Sequence, residues 1–103
     1  MVTGMKSGVL LIIAADFAEA HLLAKANGLQ PLPGNVRTIV KAEALRGWSH
    51  GTPAIIGRMA DWPEGAQFNA LAKAVEIARQ RGHIRIADEA DIEAIKIERM
   101  AAA

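Results

Sequence analysis

The run Val9-Leu10-Leu11-Ile12-Ile13-Ala14-Ala15 contains no polar side chain and stops abruptly at Asp16. It is far shorter than the roughly 20 residues a membrane-spanning helix needs, and it sits at the short extreme of a signal-peptide core even with Lys6 ahead of it. A continuous, partly β-branched run of this length is the pattern of a strand covered on both faces. Such a strand needs a layer of structure on each side, which points to a central parallel strand in an α/β sheet.

The rest of the chain alternates in the same manner. Asp16 to Asn27 are strong helix formers, with Asp16 suited to cap the first turn and Gly28 placed for a left-handed C-terminal residue. Pro31, Pro33 and Gly34 mark a tight turn before a second strand, Val36 to Val40. Lys41 to Arg46 read as a short helical turn ended by Gly47, Trp48 to Thr52 as a loop, and Pro53 to Gly57 as a third strand with proline at its first position. Asp61 and Glu64 have capping-box spacing, with Pro63 in the first turn of a helix expected to run to Arg81. Phe68, Leu71, Ala72, Val75 and Ala78 recur on one face of that helix, opposite Asn69, Lys73, Glu76 and Gln80, and Gly82 closes it. His83 to Ala87 alternates as a fourth, more exposed strand. Residues from Asp88 onward favour a final helix, although Ile95-Lys96-Ile97 also alternates in the manner of an edge strand.

Strands alternating with helices imply parallel pairing through right-handed crossovers. The expected fold is a small open, mainly parallel four-stranded sheet with helices on its faces, Rossmann-like or flavodoxin-like. At 103 residues the chain has the size of a single domain, with residues 1–8 expected to be flexible and 101–103 frayed. Leu23-Ala24-Lys25-Ala26 is echoed by Leu71-Ala72-Lys73-Ala74, and Val36-Arg37 by Ile84-Arg85. Two similar βαβ halves would produce such an echo, and so would chance in an alanine-rich helical sequence.

Charge and composition exclude several classes of function. Twelve basic against eleven acidic residues leave a net charge of +1, and Arg37, Lys41, Arg46 and Arg58 are scattered among acids. No basic stripe is present to hold nucleic acid, and no anionic membrane surface is expected as a partner. The absence of cysteine removes disulfides, thiolate nucleophiles and thiolate metal sites, in keeping with a reducing cytoplasm. His21, His50 and His83 lack ligand spacing, so neither a metal nor a cofactor is expected.

Among candidate motifs, Asp88-Glu89-Ala90-Asp91 spells the acidic box of a helicase, where such acids hold magnesium. No Gly-Lys pair supplies the phosphate loop that chemistry requires, and acids in a first helical turn account for the same letters. The loop Gly47-Trp48-Ser49-His50-Gly51-Thr52-Pro53 could hydrogen-bond a phosphate or carbonyl, with Trp48 stacking on a ring; as an ordinary connection, Trp48 would cover the core edge. Ser49 and His50 have no identifiable third group to complete a hydrolase. Position is more informative than motif, because open parallel sheets bind ligands at the carboxyl ends of their strands. Asp16, Lys41, Glu43, Arg58, Asp61 and Trp62 fall there. Asp16, Trp48, His50, Arg58, Asp61 and Trp62 are therefore the candidate ligand-binding residues, against the plainer alternative that Asp16 and Asp61 cap helices and Arg58 pairs with one of them.

Asp16-Phe17-Ala18-Glu19-Ala20 after an apolar strand, Gly28-Leu29 at a helix end, Ala44-Leu45-Arg46-Gly47 and Ala54-Ile55-Ile56-Gly57 form a series over roughly Val9 to Arg81. This series resembles small, uncharacterised α/β proteins encoded by bacteriophages, which in turn look like the sheet of a helicase or terminase ATPase without its phosphate loop. The resemblance implies a fold and an origin and carries no catalytic residue. Together these features lead to the expectation of a non-enzymatic phage or prophage accessory protein, binding a partner protein or a second copy of itself as a homodimer in the bacterial cytoplasm. The alternative is a binder of a nucleotide or small polar ligand at the strand ends, with catalysis a more distant third.

Overall fold

The computed structural model describes residues 9–29, 34–48 and 50–102, with side chains to residue 97. The expected flexible segment 1–8, Pro31 and Pro33 of the expected turn, Ser49 and the terminal Ala103 lie outside the described residues. The elements are β1 (Leu10–Ile13), α1 (Phe17–Ala26), β2 (Val36–Ile39), β3 (Thr52–Ile56), α2 (Ala66–Gln80), β4 (Ile84–Ile86) and α3 (Glu89–Ala102). Short 3₁₀ turns at Ala42–Leu45 and Met59–Asp61 interrupt the connections around β3.

The four strands lie in the order β2-β1-β3-β4, and every pairing is parallel. This is the α/β sheet expected from the alternation of elements. Its central strand is the uninterrupted apolar run, and all four residues of β1 are completely buried. Successive side chains point to opposite faces. Leu11 and Ile13 meet Leu71, Val75 and Ala78 of α2 together with Leu45, whereas Leu10 and Ile12 meet Ala20 and Ala24 of α1 and Ile95 of α3. Right-handed crossovers explain the division, because the chain moves in opposite directions across the sheet from β1 to β2 and from β3 to β4, which places α1 and α2 on opposite faces. α1 buries only alanines fully, so its axis packs close to the strands. The echoed tetrapeptides fall on equivalent elements, α1 and α2, and the echoed dipeptides on the two edge strands.

One local expectation needs correction, and one open alternative is decided. Asp61 does not open a capping box with Glu64: α2 begins at Ala66, its N-cap is Gly65, and no side chain caps it. The cause is Pro63, whose ring drives the preceding residue out of the helical region; Trp62 is accordingly extended at φ −68° and ψ 148°. Ile95-Lys96-Ile97 is helical, so the edge-strand alternative fails; Ile95 faces the sheet and Ile97 faces solvent. The acids that start α3 decide this, for Asp88 Oδ1 accepts the Asp91 N–H at 2.9 Å and Asp91 Oδ2 accepts the Asp88 N–H at 3.0 Å. Among the described residues no helix is long and apolar enough to cross a membrane.

Candidate functional site

From β1 the chain turns towards β2, and from β3 towards β4, so the helices that follow these adjacent strands leave on opposite faces of the sheet. A crevice at their carboxyl ends is the usual ligand position in such a topology. Asp16 ends the segment after β1, and Arg58, Asp61 and Trp62 follow β3. Four of the six candidate residues are thus carried by the two loops that flank this crevice.

The crevice is filled by a residue that sequence reasoning missed. Glu19, in the first turn of α1, places its carboxylate between the two loops. Its Oε1 accepts the Ala15 N–H at 2.7 Å and the Trp62 indole N–H at 2.9 Å. Asp16, the N-cap of α1, accepts the Glu19 N–H on Oδ1 at 2.8 Å, while the Glu19 carboxylate reaches back to the N–H one residue before the cap. Gly57 makes room for it, since a Cβ at that position would lie 2.7 Å from the carboxylate. The Gly57 N–H meanwhile donates to the Ile13 carbonyl at 2.8 Å and ties the loop to β1. A signal for Glu19 existed in the sequence, for Asp16-x-x-Glu19 has capping-box spacing; nothing local announced that the same carboxylate would reach across to Trp62.

This arrangement favours some ligands over others. The Glu19 carboxylate occupies the crevice beside the Asp16 cap, and the exposed Arg58 is paired with Asp61 at the surface at 3.2 Å. A phosphate would meet carboxylates where a nucleotide-binding sheet offers glycine N–H groups. Lys41 and Glu43 are exposed after β2. No family model, curated protein or solved structure matches the chain.

The structure separates the other two candidates from this crevice. His50 lies two residues before the start of β3, so the five residues of that strand, roughly 16 Å of extended chain, lie between it and Arg58. Trp48 is half-buried against the core, and its indole N–H donates to the Ala44 carbonyl at 2.8 Å. It therefore covers the core edge instead of facing the crevice. The six residues therefore do not form one constellation: β3 separates His50 from the four crevice residues, and Trp48 packs against the core.

The helicase-like acids have a structural role. Besides capping α3, Asp91 receives two hydrogen bonds of 2.6 Å from the Arg85 guanidinium, and Arg85 Nε donates to the Gly51 carbonyl at 3.1 Å. Hydrogen bonding by Arg85 pushes the Asp91 carboxyl from 3.8 down to about 2, and the same contact raises Arg85. Four charged or backbone groups are tied together where β4 meets α3. Among the described residues no group of three or more metal-ligating side chains is present.

Proposed function

We propose that the chain is a non-enzymatic binding protein, a phage or prophage accessory factor that engages a partner protein in the bacterial cytoplasm. The observation that carries this reading is Glu19. The position where a parallel sheet of this topology holds a small ligand is occupied by the chain's own carboxylate, already engaged by Ala15 and Trp62. The neighbouring helix holds two large apolar side chains outward beside its exposed His21 and Lys25: Phe17 is 69% exposed and Leu22 is 65% exposed, while Leu23 packs inward. Ile97 of α3, on the same face of the sheet, is also exposed. Large apolar side chains held in water on ordered helices suit a protein contact better than a small-molecule site. The phage origin and the cellular setting rest on the resemblance of Asp16 to Ala20 and the three later segments.

The test is to introduce a photo-crosslinking amino acid at Phe17, at Leu22 and, as a control, at the exposed Lys73 of α2 in the producing cell. A discrete adduct from the first two positions and none from the third is expected. The same adduct pattern with a second copy would identify the partner as the chain itself. No adduct at either α1 position would overturn the proposal. So would a nucleotide that raises the melting temperature of the wild type and fails to do so after Asp16→Ala.

A further inference from the structure

His50 and His83 are far apart in sequence and in contact in space, with ring centroids 4.8 Å apart and planes inclined by 72°. They sit at the amino ends of β3 and β4, at the opposite end of the sheet from the Glu19 crevice. Their spacing is imposed by the backbone. The Gly51 N–H donates to the Gly82 carbonyl at 2.8 Å, and the Thr52 N–H to the His83 carbonyl at 3.1 Å. Gly51 and Gly82 both adopt positive φ, at 78° and 76°, which lets the two turns before the strands lie side by side. The His50 ring rests over Gly82, where an added Cβ would come within 3.4 Å of its Cδ2.

We propose that His50 and His83 form a two-imidazole site for a late divalent transition-metal ion, zinc or nickel by class, with water completing the coordination. The separation of the rings fits. A metal about 2.1 Å from one nitrogen of each ring lies about 3.2 Å from each centroid, which sets the centroids about 4.5 Å apart for a right-angled pair and about 5.2 Å apart for a tetrahedral one. The observed 4.8 Å falls between these values. The nitrogens are also free to ligate, because among the described residues no group hydrogen-bonds to either ring. His50 is exposed and His83 half-buried, so an ion has access from solvent. The pair is edge-to-face as it stands, and χ2, the torsion that would have to turn to aim a nitrogen at a bound ion, is a broad one for histidine. Imidazole pairs select the later first-row ions and leave magnesium unbound. The Arg85 guanidinium, which donates to the Gly51 carbonyl beside His50, is itself neutralised by Asp91.

Isothermal titration of the untagged chain with zinc and with nickel tests this, using His50→Ala, His83→Ala and the distant His21→Ala, each checked for an unchanged circular-dichroism spectrum. The expected result is one ion per chain for the wild type and for His21→Ala. At least a tenfold loss of affinity is expected in each of the other two variants, with no uptake of magnesium. The proposal is overturned if the wild type takes up no zinc or nickel at millimolar concentration. It is equally overturned if affinity survives in either His50→Ala or His83→Ala, or if fewer than one ion binds per chain.

Discussion

The carboxylate of Glu19 lies so close to the backbone of Gly57 that a single methyl group would not fit between them. Gly57 is not among the residues with positive φ, so the glycine serves this close approach and not an unusual backbone conformation.

A methyl at position 57 should therefore act only through Glu19. Gly57→Ala is expected to swing the carboxylate away from Ala15 and Trp62 and to cost about 1 to 2 kcal/mol, the usual worth of such hydrogen bonds. In a Glu19→Ala background the same substitution should cost almost nothing, because the group it displaces is gone. A double-mutant cycle by chemical denaturation measures this coupling. Equal costs in both backgrounds would show that Gly57 matters for another reason.

Asp16 and Asp61 look alike in sequence and differ in structure. Asp16 accepts the Glu19 N–H as a helix cap, whereas Asp61 only pairs with Arg58 at the surface. Asp16→Ala should destabilise by about 1 kcal/mol. For Asp61→Ala the change should stay below about 0.5 kcal/mol. Thermal or urea melts of the two variants distinguish the cases, and a larger loss at Asp61 would contradict the assignment of caps.

The Arg85–Asp91 pair makes part of the stability depend on acidity. Asp91 titrates at about 2 in the folded chain against 3.8 for an ordinary aspartate. A depressed carboxyl stabilises the fold fully above the unfolded value, and this contribution disappears as the pH falls through the folded one. Arg85 is 48% exposed and partly screened, so about 1 to 2 kcal/mol is expected to be lost between roughly pH 5 and pH 2. Urea denaturation of the wild type and Asp91→Asn across this range should show their stability gap closing as the pH falls. A gap independent of pH would rule the pair out as its source.

On α3, two isoleucines a residue apart should behave oppositely. Ile95 is 3% exposed against the sheet and Ile97 is 62% exposed. Ile95→Ala is expected to cost about 2 to 4 kcal/mol. The change at Ile97→Ala should remain within about 0.5 kcal/mol. Were the segment an edge strand, both side chains would share one face and the two costs would be similar.

Much of the architecture was legible because the signals are local. An apolar run without alternation and too short for a membrane pointed to a central strand, and β1 is buried throughout. Asp16 and Gly28 bracket α1 as capping chemistry requires, with Gly28 at φ 72°. The expectation that failed, a helix opening at Asp61, also had a local cause in the restriction that Pro63 places on Trp62.

The sequence by itself determined the order of elements, the two-faced burial of β1 and the absence of a phosphate loop, because periodicity, caps and glycines act over a few residues. Only the tertiary structure decided which side chains meet. Glu19 touches Trp62 from 43 residues away, and Arg85 reaches Gly51 from 34. His50 contacts His83, yet stands a strand's length from Arg58. Parallel pairing causes all of this, since it aligns the starts of distant strands with one another and their ends with one another, and so joins residues that no sequence spacing relates.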